Sequence, residues 1–96
     1  NPEQLFAAGY AACFESALSH VALRRKLTLN SASVAVEVGI GPNNQGGFKL
    51  VVSLTATVSG VDQSTAEKLL QEAHQVCPYS NAIRGNVEVT LSARVG

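Results

Sequence analysis

The chain has 96 residues, no net formal charge, 46% apolar residues and only 15% charged ones. A chain of this length forms one domain, and its sparse charge argues against a nucleic-acid-binding surface, which needs a dense basic patch. No stretch approaches the roughly 20 apolar residues of a transmembrane helix. The mean hydropathy of +0.14 is high for a small monomer, so we expect apolar surface to be buried in an oligomer interface.

The first predicted element is a long helix that begins at Asn1 and ends near the basic run Arg24–Lys26. Asn1 is a favoured N-cap, Pro2 suits the first helical position, and the Glu3 carboxylate complements the helix dipole. The cations of the basic run suit the other end of the dipole. Residues 5–14 are apolar around most of the helix, which predicts a buried central helix.

Three strands are predicted from apolar residues at every second position. Residues 34–40 and 48–58 flank the turn-forming segment 41–47 and form an antiparallel hairpin. A third strand covers residues 87–95, and an amphipathic helix at 65–76 precedes it. The order α-β-β-α-β predicts an α+β domain with an antiparallel sheet.

The predicted second helix has recognisable signals at both ends. Ser64 followed by Glu67 matches a capping box at its start. Pro78 disfavours helical geometry at Cys77, so we expect the helix to end there.

Cys13 and Cys77 are the candidate reactive groups. Two cysteines are too few for a disulfide-rich secreted scaffold. Cys13 lies within the first helix, where a buried and inert thiol is common, and reactivity would require a cation supplied from elsewhere. Cys77 lies at a helix end where the backbone can move. The two suit a peroxidatic and resolving pair or a structural disulfide, and their spacing leaves both possibilities open.

No metal or phosphate site is expected. His20 and His74 are isolated from each other and from any C-x-x-C motif, so each is interpreted as a surface or hydrogen-bonded structural residue. Gly46 and Gly47 fall in the hairpin turn and lack the strand-loop-helix context of a phosphate-binding loop.

Two long segments carry a family resemblance. Residues 1–14 (NPEQLFAAGYAACF) and residues 74–86 (HQVCPYSNAIRGN) resemble the two signature motifs of the Ohr/OsmC family. The Cys-Pro-Tyr-Ser-Asn form of the second is similar to the organic hydroperoxide resistance branch. The resemblance implies one OsmC-like domain over residues 1–96, with a long central helix and a second helix against an antiparallel sheet, in an intertwined dimer. It also implies a β-hairpin region N-terminal to the first motif, which these 96 residues do not include.

The resemblance further implies a thiol peroxidase of the oxidative stress response. In that mechanism Cys13 attacks an organic or fatty-acid hydroperoxide, and its sulfenic acid condenses with Cys77 to an intramolecular disulfide. Dihydrolipoamide or a lipoylated protein then restores the dithiol. The family resemblance implies a cytoplasmic homodimer that uses no metal or other cofactor, and neither a membrane nor a nucleic acid is expected as a partner.

In this family a Glu and an Arg assist the cysteine. Glu3 matches the Glu, whereas the Arg lies in the N-terminal region and Arg84 has no assigned role. Ten residues of straight helix separate Glu3 from Cys13 by ~15 Å along the axis. Either the helix bends near Gly9, or Glu3 serves Cys13 of a second subunit. We expect the second arrangement, with each active site at the dimer interface.

Two other functions fit the same residues. One is a non-enzymatic OsmC-like stress protein that binds a small lipid-like molecule in an apolar pocket. The other is a structural domain in which Cys13 and Cys77 form a permanent disulfide. Thiol titration with a hydroperoxide distinguishes them, because only the peroxidase loses two free thiols together.

Overall fold

A computed structural model describes residues 1–96, and the order of its main elements confirms the predicted α+β class. The elements are α1 (Pro2–Arg24), β1 (Ser31–Pro42), β2 (Phe48–Ser59), α2 (Gln63–Val76), α3 (Pro78–Ile83) and β3 (Glu88–Val95). The short helix α3 is an addition to the predicted set. None of the helices combines the length and apolar character needed to cross a bilayer.

The three strands form a mixed sheet in the order β1-β2-β3. β1 and β2 form the predicted antiparallel hairpin, with Val36 opposite Leu54. β3 lies parallel to β2, with Leu91 beside Leu54, so the prediction of a wholly antiparallel sheet was wrong. The connection from β2 to β3 passes through α2 and α3. Such a helical crossover returns the chain to the same end of the sheet and gives parallel strands.

The hydrophobic core lies between one face of the sheet and the helices α1 and α2. Alternate residues of β2 form its floor, and α1 and α2 cover them. Its members include Tyr10, Phe14, Leu18, Val21, Val52, Leu54, Ala56, Val58, Leu69, Leu70, Ala73 and Cys77. The other face of β2 carries serine and threonine, as expected for a sheet with one solvated face.

The helix α1 is buried only along part of its length. Its fully buried residues begin at Tyr10, whereas Leu5 is 76% exposed. The prediction of a helix buried around residues 5–14 was therefore wrong for the single chain. α1 packs on β1, α2 and α3, and no element of the chain covers its opposite face.

The ends of α2 differ in how well they were predicted. Asp62, rather than Ser64, is the N-cap, and its carboxylate accepts a hydrogen bond from the backbone N–H of Thr65 at 2.8 Å. The helix ends at Val76 as predicted, because Cys77 has extended backbone geometry. Pro78 then begins α3, since its fixed φ suits the first position of a helix.

Candidate thiol site

The two cysteines lie side by side although 64 positions separate them in the chain. Cys13 is on α1 and is partly exposed, while Cys77 is fully buried between α2 and α3. The Cys77 thiol donates a hydrogen bond to the Cys13 sulfur, with 3.4 Å between the two Sγ atoms. Both thiols are free. A small movement can therefore bring the sulfurs to bonding distance, about 2.05 Å.

Backbone hydrogen bonds fix Cys77 at the junction of two helices. Its N–H donates to the carbonyl of Ala73 at 2.8 Å, which closes α2. Its carbonyl accepts from the N–H of Asn81 at 3.0 Å, which opens α3. The Val-Cys-Pro sequence thus turns the chain at the position where Cys77 faces α1.

Aromatic rings surround the contact between α1 and α3. The Tyr79 ring lies 6.1 Å from that of Phe6 and 6.0 Å from that of Tyr10. Gly9 leaves room for it, because a Cβ at Gly9 would lie 3.2 Å from the Tyr79 hydroxyl. The backbone amide of Tyr79 also acts on Cys13, because it lowers the pKa of the Cys13 thiol. One face of the partly exposed Cys13 site is therefore aromatic.

A chain of hydrogen bonds that the sequence did not predict lies beside the thiols. The hydroxyl of Tyr10 and the hydroxyl of Ser80 are 2.5 Å apart, and both residues are fully buried. The Ser80 hydroxyl also bonds with Nδ1 of His74 at 2.8 Å. His74 is thus the hydrogen-bonded structural histidine that was expected, whereas His20 is exposed. The sequence signal was present, because Ser80 and His74 both lie in the second motif.

Arg84 braces the outer side of this region. Its guanidinium donates to the backbone carbonyl of His74 at 2.6 Å and to the side-chain carbonyl of Asn81 at 2.5 Å. The Asn81 amide in turn donates to the carbonyl of Gln75 at 3.1 Å. Arg84 therefore ties the end of α2 to α3, and no hydrogen bond joins it to either cysteine.

The surroundings of Cys13 disfavour its thiolate. Burial raises the pKa of the Cys13 thiol, the backbone amide of Tyr79 partly offsets this rise, and the Cys77 side chain adds to it. No Lys or Arg of the chain contributes to the pKa of this thiol. The 96 residues thus place the two sulfurs together without supplying the cation that a reactive cysteine requires.

Glu3 lies in the first turn of α1, before the buried part of the helix begins at Tyr10. Its partly exposed side chain lines a groove of about 380 Å³ together with Ala7, Val36 and Val38. The helix continues through Gly9 without interruption, so ~15 Å of helix axis separates Glu3 from Cys13. The structure therefore does not bring Glu3 to the thiols of its own chain.

Other surface features lie away from the thiols. A groove of about 810 Å³ runs between α2 and β3 and contains neither cysteine; Arg25, Lys68 and Leu91 are among its lining residues. At no point do three metal-ligating side chains converge. The thiol pair and its polar neighbours are therefore the site with a recognisable chemical capacity.

Two thiols are in contact where the long helix α1 meets the Cys-Pro turn. The fold and this contact are typical of a protein with a pair of redox-active cysteines. Residues 1–92 match the family model described as OsmC-like protein. The chain belongs to this OsmC-like family, within its organic hydroperoxide resistance branch.

Proteins named organic hydroperoxide resistance protein are similar to this chain over nearly its whole length. The organic hydroperoxide resistance protein of Xanthomonas axonopodis pv. citri is 55% identical over 93 residues, which cover 96% of this chain and 65% of that protein. The protein OhrB of Bacillus subtilis is 45% identical over 94 residues, which cover 98% of this chain and 69% of OhrB. The chain thus spans about two thirds of the length of the relatives that it matches.

Solved structures agree with the fold. An organic hydroperoxide resistance protein from Elizabethkingia anophelis superposes with a TM-score of 0.97 at 51% identity, covering 100% of this chain and 69% of that one. Another, from Legionella pneumophila, gives a TM-score of 0.96 at 58% identity, covering 99% of this chain and 69% of that one.

Proposed function

We propose that this protein is a thiol peroxidase that reduces organic hydroperoxides, with Cys13 as the attacking and Cys77 as the resolving cysteine. The observation that carries the proposal is the 3.4 Å contact between the two free thiols. The names of the relatives, which are organic hydroperoxide resistance proteins, support the same substrate class.

The proposed reaction has three balanced steps. The Cys13 thiolate attacks one peroxide oxygen, the O–O bond breaks, and the alcohol leaves with one proton, so that Cys13 becomes a sulfenic acid. The Cys77 thiol then displaces the sulfenic hydroxyl as water and forms the Cys13–Cys77 disulfide. A dihydrolipoyl dithiol finally donates two electrons and two protons, which restores both thiols and oxidises the lipoyl group to its disulfide.

The arrangement favours the second step more than the first. Cys77 already donates its proton toward the Cys13 sulfur, so condensation requires little movement. The first step requires a thiolate, and burial raises the pKa of Cys13. We therefore propose that a cation from outside residues 1–96, such as the Arg that the family resemblance implies, activates Cys13 in the whole protein.

The aromatic rings near Cys13 favour an organic hydroperoxide over hydrogen peroxide. Tyr79 stacks on Phe6 and is 42% exposed, and its backbone amide acts on the partly exposed Cys13 sulfur. An alkyl or acyl chain buries that aromatic surface on binding, which hydrogen peroxide cannot do.

The need for a regenerating dithiol fits a reducing compartment such as the cytoplasm.

A thiol titration tests the proposal. The whole protein, freshly reduced, should carry two titratable thiols from Cys13 and Cys77, and one equivalent of cumene hydroperoxide should remove both. Cys13→Ser should keep its remaining thiol under the same conditions. Thiols that survive in the wild type would indicate a non-enzymatic binding protein, and their absence after purification under argon would indicate a structural disulfide.

The reductant requires a separate experiment. With the disulfide formed, dihydrolipoamide should restore both thiols faster than glutathione or thioredoxin at equal dithiol equivalents. Equal rates with all three would contradict the lipoyl assignment while leaving the peroxidase assignment in place.

We also propose a homodimer in which Glu3 of one subunit assists Cys13 of the other. Large apolar residues that the single chain leaves exposed support an interface: Leu5 (76% exposed), Phe48 (75%) and Ile40 (57%). Glu3 lies at the same end of α1 as Leu5, and about 15 Å of helix separates it from the thiol of its own chain.

A mixed dimer tests the assistance across the interface. One subunit carries Glu3→Ala and the other carries Cys13→Ser. If Glu3 acts across the interface, one site holds both defects and the other is intact, so about half of the wild-type activity remains. If Glu3 acts within its own chain, both sites are defective and the activity falls to that of the single Glu3→Ala protein or below.

A further inference from the structure

Three polar side chains of the thiol site take no part in the chemistry proposed above. The hydroxyls of Tyr10 and Ser80 form a buried pair 2.5 Å apart, and His74 joins it through its 2.8 Å bond to Ser80. Tyr10 lies on α1, Ser80 on α3 and His74 on α2. The hydrogen bonds among these three side chains therefore connect the same three elements that hold the two thiols.

The hydroxyl pair and the thiol pair are equally spaced along the two segments that carry them. Tyr10 precedes Cys13 by three residues, and Ser80 follows Cys77 by three residues. Tyr10 and Cys13 lie on the same face of α1, because residues three apart along a helix are neighbours, while Cys77 is the N-cap of the helix that carries Ser80. The segments that carry the cysteines thus meet at two adjacent points, a thiol pair at 3.4 Å and a hydroxyl pair at 2.5 Å.

The protonation states suit an uncharged chain of donors. Burial raises the pKa of the Tyr10 phenol, although its hydrogen bond to Ser80 acts in the opposite direction. Burial and the neighbouring Arg84 lower the pKa of His74. With the phenol protonated and the imidazole neutral, Tyr10 can donate to Ser80, and Ser80 can donate to Nδ1 of His74.

We propose that the Tyr10–Ser80–His74 chain positions Cys77 against Cys13 and so sets how readily the two thiols join. The proposal extends the proposed function, because it concerns the resolving step of that reaction. Tyr10, Ser80 and His74 are positioning residues in this role, since none of them exchanges atoms with the reacting sulfurs. When the hydroxyl pair is lost, α3 is held less firmly on α1 and the sulfurs spend less time in contact.

The equilibrium between dithiol and disulfide measures this effect without any hydroperoxide. In glutathione buffers the two cysteines give two electrons and two protons to glutathione disulfide, and the products are the Cys13–Cys77 disulfide and two glutathione molecules. The equilibrium constant reports how closely the folded protein holds its two thiols. A failure of the peroxidase assignment would leave this measurement unaffected.

The experiment compares Tyr10→Phe, Ser80→Ala and the double variant in the whole protein. The equilibrium constant for disulfide formation should fall roughly fivefold to tenfold in Tyr10→Phe, the effect of losing one neutral hydrogen bond, and at least as far in Ser80→Ala, which also loses the bond to His74. The double variant should fall no further than Ser80→Ala, because both changes remove the same bond. Ser59→Ala is the matched control, since it deletes a serine hydroxyl bonded to Ser31 at 2.7 Å on the sheet, and it should match the wild type.

The decisive variant is Tyr10→Phe, which keeps the ring in the core and removes only the hydroxyl. An unchanged equilibrium constant in folded Tyr10→Phe protein would overturn the proposal, whatever the effect of Ser80→Ala on folding. So would equal changes in Tyr10→Phe and Ser59→Ala. In single-turnover reactions with cumene hydroperoxide, Tyr10→Phe should leave the loss of the Cys13 thiol unchanged and slow the loss of the Cys77 thiol. Slowing of both losses alike would contradict a positioning role.

Discussion

The two halves of α1 have different surroundings although they form one continuous helix. From Tyr10 to Ala22 the helix contributes six buried residues to the core. From Pro2 to Gly9 none is fully buried, and Leu5 is 76% exposed. The core of the chain is thus sufficient to hold the two thiols in contact, whereas the 96 residues neither cover Leu5 nor place a cation at Cys13.

The largest expected difference between the two halves is in stability. Phe14→Ala should lower the free energy of unfolding by roughly 3 to 5 kcal/mol, because it removes a fully buried ring and leaves a cavity. Leu5→Ala should change it by no more than about 0.5 kcal/mol in the monomer, as is usual for an exposed position. Urea denaturation at low protein concentration measures both. Equal losses would mean that the halves do not differ as described.

The exposed half should instead control association. Leu5→Asp places a charge on the apolar surface that we assign to the dimer interface, and it should raise the dimer dissociation constant at least about tenfold, equivalent to ~1.4 kcal/mol. Sedimentation equilibrium of the whole protein measures this constant. Gln71→Asp, on the exposed side of α2, is the matched control and should leave it unchanged. A wild-type protein that is monomeric at every concentration would rule out the proposed interface.

The N-cap of α2 contributes to the stability of the buried half of the molecule, because α2 leads directly to Cys77. Asp62→Ala should lower the free energy of unfolding by about 1 kcal/mol, the usual effect of losing an N-cap. Ser64→Ala should cost clearly less, since Asp62 and not Ser64 accepts the hydrogen bond from Thr65. Thermal or urea unfolding of the two variants decides between the structural and the sequence-based assignment of the cap. A larger loss in Ser64→Ala would favour the sequence-based capping box.

A smaller effect is expected in the pH dependence of stability. Burial and Arg84 lower the pKa of His74 below its ordinary 6.5 in the folded protein. Its contribution to stability is therefore complete above pH 6.5 and is lost as pH falls toward the folded pKa, because the unfolded chain binds the proton more readily. Urea midpoints between pH 8 and pH 5, a range that includes the ordinary histidine pKa of 6.5, should fall less in His74→Gln than in the wild type. The exposed His20→Gln serves as control and should follow the wild type.

The sequence predicted the elements better than their contacts. The strands at 34–40 and 48–58, and the end of α2 before Pro78, followed from residue periodicity and backbone restrictions that act locally. The parallel pairing of β3 did not, because alternation along a strand specifies its faces and not its direction in the sheet. The exposure of Leu5 was also not predicted, since an apolar sequence pattern is the same whether the chain itself or a partner covers the residue.

The candidate site was predictable in part. The motifs around Cys13 and Cys77 indicated the pair, but only the packing of α1 on α3 places the sulfurs 3.4 Å apart. The hydrogen bond between Tyr10 and Ser80 was not apparent, because 70 positions separate two hydroxyls that meet only in the folded chain.

The proposed redox pair of Cys13 and Cys77 within one chain can be identified by peptide mapping of the whole protein after a single turnover with one equivalent of cumene hydroperoxide. We expect a cross-linked peptide that joins Cys13 to Cys77 within one chain, and in Cys77→Ser a sulfenic or more oxidised Cys13 instead. A disulfide between subunits, or two unmodified cysteines with the hydroperoxide unconsumed, would contradict it.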